Sequence, residues 1–329
     1  MPSFSIIIVT YKRKDRLKAL LLQLNELCQQ TTKYIVVNGE ALDQYTDLKN
    51  LCPHTHWLQG NFETPGMARN EALKKVSTDW VLFLDDDIVL PNDYFSSSFA
   101  AIENASKDTI CIGGPDHSPL NGSIFQEALS LTLRSPMATA HTRLRHDRMT
   151  KEITQGHESN LILCHLWMRM DFQRKNKLFF SRHLFRNEEN YLINQIIQHQ
   201  GKALYSSKLF VYHYRKTRID HLAQAVFSSG FHRVKSFSLS KKLFSFLFLI
   251  PAVWVVYLGL FTLGYASHHL LTMYITLTLF ISMKVSMERG ALLPLVIIYQ
   301  ILMNFFYGLG VLWGLLRLPF WLFFFKRNF

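Results

Sequence analysis

Acidic residues all but vanish from the last quarter of the chain: residues 241–329 hold one, Glu288, against seven Lys/Arg. The rest of that stretch is nearly continuous Leu, Phe, Ile, Val, Tyr and Trp, which excludes an ordinary soluble surface there. Cysteine is scarce as well. Cys28, Cys52, Cys111 and Cys164 are scattered with no CxxC pair, which excludes a disulfide framework and the usual zinc spacings. They are expected as buried free thiols in a reducing compartment. No internal repeat or low-complexity linker is visible, so a solenoid or a tethered array is excluded. The N-terminal run SFSIIIVTY is too short for a signal h-region and no small-residue cleavage site follows, so the N-terminal part is expected to stay in the cytoplasm.

What is present divides at Lys241-Lys242. Residues 1–240 carry 29 Lys/Arg and 23 Asp/Glu, an ordinary soluble composition. Beyond them, Leu243–Tyr265 and Ala291–Leu316 are long enough to cross a bilayer, which takes about 20 apolar residues. Leu270–Met283 is a shorter candidate. The expectation is about three spans in 241–329, on a multi-pass chain with its N-terminal domain facing the cytoplasm. Polar residues inside these stretches are few (Ser245, Thr262, Thr272, Thr276, Thr278, Gln300 and Asn304), and no chain of ionisable groups suggests a pump. Gly308, Gly310 and Gly314 permit close helix contact. Plain anchoring and a groove for a lipid acceptor both fit this region.

The soluble part alternates strands and helices. Strands are expected at Ser5–Thr10, Tyr34–Val37, His56–Leu58, Trp80–Leu84, Thr109–Gly113, Asn160–Cys164, Ala203–Tyr205 and Leu209–His213. Helices are expected at Asp15–Gln29, Pro65–Val76, Asn92–Asn104 and Arg186–His199. Alternation of this kind makes a mostly parallel, Rossmann-like α/β sheet, in which ligands sit beyond the carboxyl ends of strands. Thr10-Tyr11 and Asp85–Asp87 both fall at such ends and should face one crevice. Residues 217–240 mix Phe, Val, Arg, His and Lys, as an amphipathic helix at a membrane surface would.

The string FLDDD ends a buried-type strand in three carboxylates, Asp85, Asp86 and Asp87. Like charges side by side are unfavourable unless something positive sits there. A hard dication, Mg²⁺ or Mn²⁺, completed by a phosphorylated substrate would supply it; an Asp-rich loop capping the next helix is the plainer alternative.

SIIIVTYKR (5–13), PGMARNEAL (65–73), FLDDD (83–87), NEENYL (187–192) and VYHY (211–214) occur in the order and spacing of inverting family-2 glycosyltransferases, and the chain resembles them over roughly residues 4–215. With its apolar C-terminal region it is similar to the membrane-attached subset of succinoglycan-type bacterial polysaccharide enzymes. The resemblance implies a GT-A fold in residues 1–216, followed by the interfacial helix 217–240 and the membrane region 241–329. It implies that Thr10, Tyr11, Arg13, Asn38, Arg69, Asn70, Asp85 and Asp86 bind the nucleotide sugar, and that Asp87, Asp85 and His213 hold the Mn²⁺ or Mg²⁺ of a DxD site. In the acidic pair it makes Glu189 the general base, with Glu188 beside it. The bland alternatives are a surface helix residue for Arg69, a structural histidine for His213, and favoured N-terminal helix charges for the Glu pair. Where the family usually has an acid after the second strand, this chain has Asn38, with Glu40 displaced; uracil is the favoured base, and guanine or thymine stay open.

Residues 134–151 hold Arg134, Arg143, Arg145, Arg148 and Lys151 against one acid, Asp147. The stretch is expected as a mobile, phosphate-seeking loop. Arg143, Arg145, Arg148 and Arg233 would contact a polyprenyl-diphosphate-linked or other lipid-linked saccharide acceptor, or membrane lipids; a solvated loop is the alternative. Nucleic acid is not expected as a partner. The resulting expectation is a transferase moving one sugar from a nucleoside-diphosphate donor, UDP-sugar first, to a lipid-linked acceptor. A processive synthase and a non-catalytic scaffold are the rivals. The former lacks its QxxRW-like signature here, and intact Asp85, Asp87, Glu189 and His213 argue against the latter.

Overall fold

The structure, a computed structural model, describes residues 2–52, 54–119, 121–147, 152–215 and 218–327. It divides into two compact units, Met1–Pro119 with Asp147–Tyr214, and Leu120–His146 with Arg215–Phe329.

The first unit is the α/β fold expected. Its strands are β1 (Phe4–Thr10), β2 (Thr32–Asn38), β3 (Thr55–Gly60), β4 (Trp80–Asp85), β5 (Ile88–Val89), β6 (Thr109–Gly113), β7 (Asp116–His117), β8 (Ile153–Gln155), β9 (His165–Arg169), β10 (Lys202–Ser206) and β11 (Val211–His213). Eight form one sheet in the order β3-β2-β1-β4-β9-β6-β10-β8, and β5-β11-β7 form a small second sheet. The half from β3 to β4 is parallel, whereas β9 runs antiparallel to both β4 and β6. The apolar runs IIIV and VLFL fit central parallel strands covered on both faces. On one face Ile6, Ile8, Leu82 and Leu84 pack with Leu17, Leu20, Leu21 and Leu24 of the helix Lys14–Cys28. On the other, Ile7, Val81 and Phe83 meet Ala68 and Ala72 of the helix Pro65–Leu73 and Leu192, Ile193 and Ile196 of the helix Glu188–Gln198.

One expected strand is wrong. Residues 160–164 carry no strand; the strand begins at His165, whose register places it opposite Leu84 of β4. Alternating periodicity could not separate NLILC from HLWMR, since both segments are buried on each side and read as continuous apolar runs. The two-residue strands β5 and β7 are too short to leave any period.

The second unit is helical. Its helices include Ile124–Leu133, Ile219–Leu239, Ile250–Thr262, His269–Val285 and Leu293–Arg327. The expected mobile loop is instead built. Ser135-Pro136 starts a short helix, Pro136–Thr139, with the Ser135 hydroxyl accepting from Met137 N–H, and a 3₁₀ helix follows over Ala140–Arg145. Ser135 also donates to buried Gln300, and Arg145 is itself buried. Its charge suggested solvent, whereas the Ser-Pro start signal was the better guide. Arg148 and Lys151 lie outside the described residues.

Among the described residues one helical segment, Met287–Phe324, is long and apolar enough to cross a membrane. The expected span Leu243–Tyr265 is broken into 3₁₀ turns and the 13-residue helix Ile250–Thr262, and His269–Val285 has 17 residues, both short of a full crossing. The polar residues of these stretches satisfy one another: the Gln300 amide donates to the Ser282 hydroxyl and the Thr278 carbonyl, and Asn304 donates to the Tyr274 hydroxyl at 3.2 Å. Large apolar side chains such as Met273, Phe280, Leu316 and Phe320 remain exposed.

The helix Ile219–Leu239, expected at an interface, lies along Leu293–Arg327, and glycine sets their closeness. A Cβ on Gly310 would stand 2.1 Å from the Phe227 carbonyl oxygen, and one on Gly230 2.3 Å from that of Tyr307. Backbone, not a movable side chain, occupies both places. Gly310→Val therefore has to part the two helices. The detergent-solubilised variant should unfold at a temperature several degrees lower than the parent, whereas Gly259→Ala, where a Cβ meets nothing within 4 Å, should leave the transition in place.

Candidate active site

The carboxyl ends of β1 and β4 lie side by side, with Val9 opposite Asp85, and this brings Thr10 and Arg13 to the three aspartates. The cations that the DDD run demands are protein side chains. Arg13 Nη1 donates to Asp86 Oδ1 at 3.0 Å and to Asp87 Oδ2 at 2.7 Å. Arg69, almost wholly buried, donates through Nη2 to Asp85 Oδ1 at 2.9 Å and through Nη1 to Glu188 Oε1 at 3.0 Å. His213 lies 3.2 Å from Asp87 through Nε2 and 2.8 Å from Asp116 through Nδ1.

The three aspartates have different jobs. Asp86 turns inward, 4% exposed, and accepts from the Thr10 hydroxyl at 2.7 Å, tying β1 to β4. Burial and then the neighbouring Asp87 charge push its carboxyl up to about 6, against Arg13 and Thr10. Asp87 is half-buried, and its partial desolvation opposes ionisation, but the charge and hydrogen bond of His213, then Arg13, overcome that cost and hold it at about 2. His213 in turn is raised well above its ordinary value: burial opposes protonation, and Asp87 and Asp116 outweigh it. Asp85, Asp87 and His213 offer three donor atoms within 4.8 Å of one another, a hard-ligand set that fits a dication. Beside them a cleft of about 280 Å³ is walled in part by Arg16, Gln23, Val89 and Tyr214, with the Arg16 guanidinium 3.9 Å over the Tyr214 ring.

The loop after β1 is anchored by the turn after β2. Glu40 accepts from Lys12 N–H and from the Tyr45 hydroxyl, both at 2.7 Å, and Lys12 has a positive φ of 55°. Gly39, at φ 72°, lies under the Tyr11 ring, where a Cβ would meet it at 2.9 Å; Tyr11 is 56% exposed. The displaced Glu40 is thus a loop anchor. Asn38 is committed as well: its amide donates to Phe62 O and accepts from Phe62 N–H. Asn70 likewise bonds the Phe180 backbone in both directions, so it positions the 180s loop.

That loop delivers the acidic pair. Asn187, in the left-handed region at φ 63°, an excursion asparagine tolerates, turns the chain into the helix Glu188–Gln198. Glu188 and Glu189 are both buried in its first turn. Burial, then the Glu189 charge, raises Glu188 to about 7 in spite of Arg69. Two residues escaped the sequence reading. Asp116, wholly buried, holds His213 from behind; nothing local marks it beyond a two-residue strand. Arg186, whose guanidinium feels Glu188 and Glu189, was legible only as the first letter of RNEE.

Arg143, Arg145 and Arg233 belong to the second unit, and the other placed site residues to the first. Burial, then the charges of Arg233 and Arg145, push His141 below its ordinary value, so these two cations lie near His141 within that unit.

No curated protein matches the sequence. Among solved structures, a mannosyltransferase from Pyrobaculum calidifontis, PcManGT, in complex with GDP-Man and Mn²⁺, is similar over 95% of this chain and 87% of its own, at 10% identity and a TM-score of 0.63. S. aureus TarS 1-349 in complex with UDP-GlcNAc is similar over 94% and 90%, at 14% identity and a TM-score of 0.50. These likenesses are of fold. The family description "Glycosyl transferase family 2" matches residues 5–175, just over half of the sequence and the segment that carries β1 to β4 and the aspartates. The chain belongs to glycosyl transferase family 2.

Proposed function

We propose that this chain is a metal-dependent, inverting hexosyltransferase that moves one sugar from a nucleoside-diphosphate donor to a lipid-linked saccharide. We place it at the cytoplasmic face of a bacterial inner membrane, in cell-surface polysaccharide or glycolipid biosynthesis. The observation that carries this reading is the buried Arg69 guanidinium joining Asp85 to Glu188, which holds a hard-ligand cluster and an acidic pair in one site. Solved proteins of like fold bind GDP-Man with Mn²⁺ and UDP-GlcNAc, which supports the donor class. The exposed apolar side chains of the second unit support membrane attachment.

In this reading Tyr11 stacks on the nucleobase, with uracil favoured, and Arg13 exchanges an aspartate for a donor phosphate. A dication held by Asp85, Asp87 and His213 would offset charge on the leaving diphosphate. Glu188 is occupied by Arg69 and positions it; Glu189 takes the proton of the acceptor hydroxyl as that oxygen attacks the anomeric carbon from the opposite face. Arg143, Arg145 and Arg233, with His141, receive the acceptor's phosphates.

Calorimetry on the full chain in lipid nanodiscs should show one nucleotide sugar binding with Mn²⁺, lost on EDTA and lost in Asp87→Ala. Binding to no donor would sink the reading. Glu189→Gln should cut kcat roughly 10²–10⁴-fold at unchanged donor affinity, and Glu188→Gln should cost less; the reverse order would move the base to Glu188. The double variant Arg143→Glu/Arg145→Glu should weaken transfer to the lipid acceptor with donor binding intact. A loss of both, or of neither, would remove the arginines from the acceptor site.

A further inference from the structure

His213 is shared by two sets of ligands. In front, its Nε2 faces Asp87 at 3.2 Å. Behind, its Nδ1 faces Asp116 at 2.8 Å, and Cys164 completes a second group, Asp116, Cys164 and His213, whose donor atoms again lie within 4.8 Å of one another. The three come from neighbouring strand ends. Asp116 opens β7, His213 closes β11 beside it, and Cys164 immediately precedes β9, its carbonyl accepting from the Asp85 N–H at 3.2 Å. Asp116 and Cys164 are buried, at 0% and 1% exposure.

The two sets differ in hardness. The front offers two carboxylates and an imidazole, which suit Mg²⁺ or Mn²⁺; the rear offers a thiol, a carboxylate and an imidazole, which suit a thiophilic dication such as Zn²⁺. We propose that Asp116, Cys164 and His213 Nδ1 form a second, inhibitory metal site for a Zn²⁺-type cation, exclusive with the site at Asp85 and Asp87. The exclusion follows from the ring. A neutral imidazole has one lone pair and one N–H. A cation on Nδ1 leaves the hydrogen on Nε2, where it donates to Asp87 and can no longer ligate a front cation. Binding displaces the Nδ1 hydrogen that faces Asp116 and the Cys164 thiol proton, both released to solvent, as the ring nitrogen and the thiolate become ligands. The site itself is independent of the transferase reading; its inhibitory consequence rests on that reading.

Cd²⁺, added alone to the full chain in nanodiscs, is the probe. One equivalent should produce a thiolate-to-cadmium charge-transfer band. The band should disappear in Cys164→Ser, weaken in Asp116→Asn, and persist in Cys28→Ser. Cadmium NMR of the unmodified chain should show one sulfur with nitrogen and oxygen donors, a readout that needs no variant to fold. Absence of the band, its survival in Cys164→Ser, or an all-oxygen cadmium resonance would overturn the site. For the consequence, Cd²⁺ should abolish Mn²⁺-dependent nucleotide-sugar binding in the parent and leave it unchanged in Cys164→Ser. Equal loss in both would place the competition at Asp85 and Asp87 and overturn the exclusion. A chain that gives the band but binds no nucleotide sugar upholds the site and overturns the transferase reading instead.

Discussion

Three carboxylates at the end of one buried strand set the terms for everything around them. Their mutual repulsion has to be balanced before the strand can stay where the sheet puts it. Arg13 comes from the loop after β1, Arg69 from the helix Pro65–Leu73, and His213 from β11, so the balance draws on three distant parts of the sequence. Each cation has a second partner: Arg13 spans two aspartates, Arg69 reaches the helix of the acidic pair, and His213 reaches Asp116. The ion pairs therefore form two sets, Arg13 and His213 with Asp86, Asp87 and Asp116, and Arg69 with Asp85 and Glu188, which meet at the shared aspartate run, so a side chain in either cannot be moved without unbalancing a neighbour. Breaking a buried pair costs more than the pair contributes, because it strands a charge.

The network is also an ordered one. Asp86 is engaged by Thr10 within the sheet, whereas Asp85 and Asp87, the two outer positions, are the carboxylates grouped with His213. Asn38 and Asn70, whose amides look like ligand contacts in sequence, bond backbone in both directions and fix the loops at 62 and 180.

The parts of this fold that were legible in sequence are those with a period or a strong local signal. The runs IIIV and VLFL, the leucine spacing of Lys14–Cys28 and the aspartates at a strand end all were. What was not legible lacks local signature. The strand HLWMR is indistinguishable by pattern from the apolar segment before it. Asp116 and Arg186 matter only through partners far along the chain. The charged stretch 134–147 reads as a loop because its arginines outweigh a Ser-Pro helix start, and the apolar run after Lys241 gives no sign that Pro251 and Gly264, the latter at φ 81°, bound a short helix.

The +12 formal charge is not spread over the molecule. Residues 120–146 and 215–329 contain fifteen Lys/Arg and three acids; the first unit contains twenty-one of each. A unit so balanced exerts little long-range pull on an anion in solution. The second unit obeys the opposite rule: its attraction for an anionic surface extends over a Debye length and fades as salt rises.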